Sequence, residues 1–247
     1  MIVGIPLDPP RSGLVLQSLV ETTPVTDDDA TRLYEAAAAD VLRAAAESGG
    51  DVLVNYRDAE TLPEGFDITS EEGEAEARSF VRDVLGDDSD VRFERQVGST
   101  RAARIGNTVT HLLDREGATS VGIVEPTAPL VARTEIDSAA MSLRRYDAVF
   151  GPSTGGDVYF ASFNAPIDFT DAFDPPAFPT LVDGCREAGL DVGFVSMLPT
   201  IETECGLVTT IAGLRARLRA GRPGGEVTTS VLEELELSVG EGGSIER

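Results

Sequence analysis

Asp8, Arg11, Arg101 and Glu125, together with the turn Gly151-Pro152-Ser153-Thr154-Gly155-Gly156-Asp157, are the residues of this sequence whose types and places suit chemistry on an anionic ligand. Gly155 and Gly156 admit left-handed backbone angles and let a ligand approach main-chain N–H groups closely. The plainer alternative for the same turn is a loop joining two neighbouring strands. Arg11 is the one cation of the segment Asp8–Gly13, which Pro9 and Pro10 hold extended. Arg101 falls at the start of a predicted helix, where a cation opposes the helix dipole; an anionic ligand or a neighbouring carboxylate would relieve that conflict. His111, the single histidine, falls on the opposite face of that helix and reads as a solvated side chain.

The elements that must position these residues alternate between strand and helix. Apolar runs predict strands at 2–7, 51–56, 91–97, 119–124, 147–150, 158–163 and 191–197. Between them lie helical patterns at 27–47, capped by Thr26, and at 74–85, 98–116, 136–145, 179–188 and 206–219. Residues 58–72 are polar, contain Pro and Gly, and read as a mobile loop. Such alternation implies a mainly parallel sheet covered on both faces, with an antiparallel strand where 147–150 and 158–163 stand close. In such sheets ligands bind beyond the carboxyl ends of the strands. The segments 8–13, 96–101, 125–130 and 151–157 all fall there, so the sequence predicts that they converge. Residues 1–220 are expected to form one α/β domain, and 221–247 a linker with a short C-terminal extension.

Composition limits the partners. The formal charge is −23 over 247 residues, which disfavours nucleic acid and anionic membrane by like-charge repulsion. All 20 basic residues are Arg, and acidic runs such as Asp27–Asp29 recur, as in proteins of organisms that keep molar salt in the cytoplasm. There the Debye length is about 3 Å and surface self-repulsion is screened. Cys185 and Cys205 are the only cysteines, too few for a disulfide framework or a multi-cysteine zinc site. No apolar run approaches a membrane span, and Met1–Leu7 does not read as a signal peptide; the expected location is cytoplasmic. No Gly-x-Gly-x-x-Gly follows the first strand, which weighs against a dinucleotide-dependent dehydrogenase.

Four segments in order resemble the glycosyltransferase-A-like family annotated among radical-SAM/selenodomain-associated transferases. They are Pro9-Pro10-Arg11-Ser12-Gly13, Gln96-Val97-Gly98, Gly151 to Tyr159, and Ile201-Glu202-Thr203-Glu204. The composition makes this a halophilic, archaeal-type version. The loop Pro126 to Leu130 is also similar to one in sugar cytidylyltransferases. The resemblance implies a three-layer α/β/α nucleotide-diphospho-sugar transferase fold and a glycosyl or nucleotidyl transferase acting on a nucleotide or nucleotide-sugar. It implies phosphate and nucleotide contacts at Asp8, Arg11, Gly13, Gln96, Arg101, Gly155 and Gly156. It also implies Mg²⁺ or Mn²⁺ held by oxygen ligands, for which Glu125 and Glu202 stand at the matching places. This chain departs from the family in its thin basic lining and in Ser153-Thr154, which replace an acidic pair. Those departures leave open a changed donor, a metal-independent site, or a degenerate transferase kept as a binding or regulatory subunit.

Overall fold

The computed structural model describes residues 1–66 and 68–247. In chain order the elements are β1 (Ile2–Leu7), α1 (Gln17–Thr22), α2 (Asp27–Ala46), β2 (Asp51–Tyr56), α3 (Ser70–Leu85), β3 (Val91–Arg95) and α4 (Arg101–Thr110), which runs on as a π-helical turn (His111–Arg115). They continue with β4 (Val121–Val124), α5 (Arg133–Ser142), β5 (Ala148–Pro152), a 3₁₀ turn (Thr154–Gly156), β6 (Val158–Phe163), α6 (Ala177–Glu187), β7 (Val192–Phe194) and α7 (Glu204–Arg219). Helix α8 (Glu226–Glu234) and the short strands β8 (Ser238–Val239) and β9 (Ile245–Glu246) end the chain.

The seven strands from β1 to β7 form one sheet in the order β3-β2-β1-β4-β6-β5-β7. Strand β6 runs antiparallel to both β4 and β5, and every other pairing is parallel. The close spacing of β5 and β6 produces a hairpin, as the sequence predicts, with Phe150 opposite Ala161. Because β6 is reversed, β4 and β5 point the same way, so the Gly-rich turn lies on the same rim as the loops after β1, β3 and β4. Burial on both faces explains why β4 and β6 read as unbroken apolar runs, buried at every residue. One core lies between the sheet and α2, α3, α5 and α7, and the other lies under α4 and α6. This is the mixed α/β architecture expected.

Local rules set most boundaries. The Thr26 hydroxyl accepts from Asp29 N, and the Asp29 carboxylate accepts from Thr26 N, which closes a capping box at the start of α2. The same device, Thr69 with Glu72, starts α3 four residues before the predicted helix at 74. The segment expected as a mobile loop is in fact tethered. Arg57 and Asp58 are buried, Arg57 bonds Asp8 and the Thr61 carbonyl, and Arg95 pairs with Asp58. Asp67 lies outside the described residues. The predicted strand 191–197 is shorter than expected because only Val192–Phe194 pairs with β5. Helix α1 was not predicted, and Leu19 is its one buried residue.

The segment expected as linker and extension packs onto the body. Leu232, Leu235, Leu237 and Ile245 join the larger core. Asp40, buried on α2, accepts from Val227 N at 3.1 Å, Thr228 N at 2.8 Å and Thr228 Oγ1 at 2.7 Å. It thereby supplies the cap that α8 lacks locally, since Gly225 offers no side chain. Asp40→Ala should therefore release α8, at a cost of about 1–3 kcal/mol for the donors left unpaired. Faster amide hydrogen exchange confined to 226–247 is the expected reading, and unchanged exchange there would refute the capping role.

Candidate functional site

The rim above β1, β3 and β4 encloses a hollow of about 120 Å³ whose lining includes Asp8, Tyr34, Gln96, Arg101, Arg104, Glu125, Thr127 and Glu202. A water occupies about 30 Å³ of liquid, and whole small-molecule sites run to about 300 Å³ or more. The hollow therefore suits one charged group, with the rest of a ligand lying outside it. A larger hollow of about 250 Å³ opens between α2 and α3. Its charged lining is Glu35, Glu76 and Asp83 with Arg57, and Arg57 is turned to Asp8, so among the described residues no arginine without a carboxylate partner faces it.

Each side chain of the smaller hollow is set by an element end. Strand β1 delivers Asp8, whose N–H donates to the Tyr34 hydroxyl at 2.8 Å and whose carboxylate accepts from Arg57 at 3.0 Å. Strand β3 delivers Gln96, which is 3% exposed. Its main-chain N–H donates to Tyr56 O at 2.7 Å and its amide to Asn55 O at 2.7 Å. That fixes Gln96 Oε1 to accept from Arg104 Nε at 2.8 Å. Helix α4 starts at Thr100, whose hydroxyl caps Ala103 N at 3.1 Å, and it carries no acid in its first turn. Arg101 and Arg104, three apart, both face the hollow.

The cation that opposes the α4 dipole finds carboxylates. Arg101 Nη2 lies 2.8 Å from Glu125 Oε1, and Nη1 lies 3.8 Å from Asp157 Oδ2. Nη2 is buried and not aligned with an acceptor for a hydrogen bond, so this contact is an ion pair with donor capacity to spare. The charge of Glu125 raises the Arg101 pKa most. Burial pushes the Glu125 carboxyl up and Arg101 pulls it back. Glu202 is the acid that titrates. Burial lifts it to about 7, Arg101 opposes the rise, and the charges of Glu125 and Asp157 add to it. Tyr34 is pushed well up by burial and by Asp8, so its hydroxyl keeps its proton.

Glu202 reaches the site through the loop before α7. Ile201 N donates to Thr127 O at 2.8 Å, and Thr200 N donates to Ser153 Oγ at 3.1 Å, which joins the loop after β4 to the Gly-rich hairpin. Gly206 permits this approach, because a Cβ there would overlap the Thr200 carbonyl.

Of the residues singled out in the sequence, the structure brings Asp8, Gln96, Arg101, Glu125 and Glu202 together. Arg11 is a correction: it pairs with Glu76 of α3 and does not line the hollow. Gly13, at φ 81°, faces Phe66 and also lies outside it. Gly155 and Gly156 take φ of 75° and 83°, as a left-handed turn requires, but reach the site only through Asp157. Arg104 and Tyr34 were missed. Arg104 stands one turn after Arg101, a spacing that could have signalled it, whereas Tyr34 reads as an apolar position of α2.

No protein-family model and no curated protein sequence matches this chain. Among solved structures it superposes on a candidate nucleotide-diphospho-sugar transferase from Desulfovibrio desulfuricans G20 with a TM-score of 0.72 at 20% identity, over 95% of this chain and 94% of that one. A cytidylyltransferase from Leptospira borgpetersenii serovar Hardjo-bovis (strain JB197) gives 0.50 at 9% identity, over 95% and 94%. At these identities the likeness is one of fold. The chain has the nucleotide-diphospho-sugar transferase fold.

Protonation of Glu202 removes a negative charge from the lining, so affinity for an anion is expected to rise as pH falls through about 7. Its contribution to stability has the same sign. Because folding raises this pKa, the stabilisation is complete below the ordinary value of 4.5 and is lost as pH rises through about 7. Titration of a nucleoside diphosphate on either side of that pH, with Glu202→Gln as reference, checks this. The variant should lose the dependence that belongs to the protein, and identical pH profiles would refute the assignment.

Proposed function

We propose that this chain is a nucleotide-dependent transferase that seats the phosphates of a nucleoside triphosphate or nucleotide-sugar at the hollow above β1, β3 and β4. One observation carries the reading. Arg104 is half-buried, lines the hollow, is oriented by Gln96, and has no carboxylate within ion-pair distance among the described residues. Acids outnumber cations in this chain by 43 to 20. An arginine that lines a cavity with no ion-pair partner among the described residues is a cation available to a ligand. Burial and the neighbouring charges of Arg57 and Arg101 lower its pKa, and an incoming anion relieves that crowding.

The fold supports the same reading, since its solved neighbours include proteins described as a nucleotide-diphospho-sugar transferase and a cytidylyltransferase. The ordered loop segments support a place in the glycosyltransferase-A-like branch. The Tyr34 hydroxyl and the unaligned N–H groups of Arg101 add donors around the same volume. The acidic composition is compatible with a working medium of high salt, where the charge of the outer surface is screened and a recessed arginine is screened far less.

Isothermal titration of UDP, GDP, CDP, CTP and GTP, in dilute and in molar salt, tests the proposal. Binding of at least one is expected. Arg104→Ala should weaken it by about 10- to 100-fold, the worth of a charged hydrogen bond of about 1.5–3 kcal/mol, with the thermal transition little changed. Silence with every nucleotide would sink the proposal. Binding without turnover of any donor would favour a degenerate transferase fold acting as a binding subunit.

A further inference from the structure

The family resemblance assigns the positive charge of such a site to a divalent ion on Glu125 and Glu202, and the donor set present here does not fit one. Mg²⁺ or Mn²⁺ takes about six oxygen ligands in near-octahedral array. Among the described residues the only three His, Cys, Asp or Glu donors within 4.8 Å of one another are Glu94 of β3, His111 of the π-helical turn and Glu116 just after it. Asp8, Glu125, Asp157 and Glu202 make no such set. The space between them is taken by a side chain of this chain. Arg101 presents Nη2 to Glu125 at 2.8 Å and Nη1 to Asp157 at 3.8 Å, while Phe173 covers its guanidinium at 5.6 Å. A dication entering there would meet a fixed cation beside the carboxylate it needs.

We infer that Arg101 serves as a built-in substitute for the divalent ion, so that a nucleoside diphosphate is held by Arg101 and Arg104 without metal. The inference rests on the transferase reading above. Three observations agree with it. The Arg101 side chain lines the hollow at 33% exposure, and its Nη2 has no aligned acceptor. Arg104 stands on the next turn of the same helix, which puts paired guanidinium groups along one wall in place of one compact dication. Glu125, 6% exposed, is already neutralised by the pair and has no free charge with which to recruit an ion.

The experiment compares calorimetric titration of UDP, GDP, CDP, CTP and GTP in EDTA and in Mn²⁺, with Mn²⁺ alone followed by electron paramagnetic resonance. For the natural chain the affinity should differ by less than about twofold between the two media, and any fall in the free Mn²⁺ signal on adding protein should be the same for Glu202→Gln. Arg101→Ala should lose nucleotide affinity by more than about tenfold in EDTA and recover part of it in Mn²⁺, because the freed carboxylates then accept the ion. Arg101→Lys should stay metal-independent. Binding by the natural chain only in Mn²⁺, or a fall in its free Mn²⁺ signal that Glu202→Gln abolishes, overturns the inference while the transferase reading stands. Absence of binding in both media overturns that reading and the inference with it. Should Arg101→Ala fail to fold, the comparison on the natural chain decides alone.

Discussion

A carboxylate shut away from water at the end of a strand must find a cation, and the Glu125–Arg101 pair is where this chain meets that constraint. Glu125 sits directly after β4, with its backbone N–H bonded to Tyr159 O at 2.9 Å. Arg101 sits at the first residue of α4, where its charge is unwelcome to the helix. Each position is unfavourable alone and acceptable in the presence of the other. Removing one member of such a pair leaves an uncompensated charge, so the pair holds α4 against the sheet edge more firmly than its net energy suggests. Asp157 draws the Gly-rich hairpin to the same guanidinium. Loops from three separate parts of the chain are thus registered on one side chain.

Around that pair the cations are distributed unevenly. Arg57 turns to Asp8, Arg95 to Asp58 and Arg11 to Glu76. Arg104 is held by an amide, through a chain of hydrogen bonds that runs from Gln96 to Asn55 and on to the Thr108 hydroxyl. A neutral partner fixes its direction without cancelling its charge. In a protein of net charge −23 this leaves one guanidinium uncancelled in a recess whose other charges are Arg101, Asp8, Glu125 and Glu202. The outer field repels an anionic ligand at low salt, whereas at molar salt it is screened within about 3 Å and the recess acts alone.

Much of the architecture was legible because it rests on local rules. Apolar runs marked every strand of the main sheet, and the Thr26 cap with its acids marked α2. The tight β5–β6 spacing marked the reversal of β6. At the start of segment 58–72 polarity suggests solvent, whereas Asp58 and the preceding Arg57 are buried and bonded to partners 37 to 49 residues away. Residues 221–247 hold a second long-range tie. Glycines announced a linker, but Asp40 caps α8 across 187 and 188 residues of sequence. Arg11 was chosen for its loop, and nothing local showed that Glu76 would claim it.

By itself the sequence determined the alternation of strand and helix, the reversed strand and the rim on which the loops after β1, β3 and β4 meet. Periodicity, capping and turn chemistry act within a few residues and can be read in order. Only the tertiary structure decided which arginine is neutralised and which stays available. Arg11, Arg101 and Arg104 are the same side chain in sequence. They differ in whether the fold brings each one a carboxylate, because Coulomb attraction depends on distance through space and burial, not on distance along the chain.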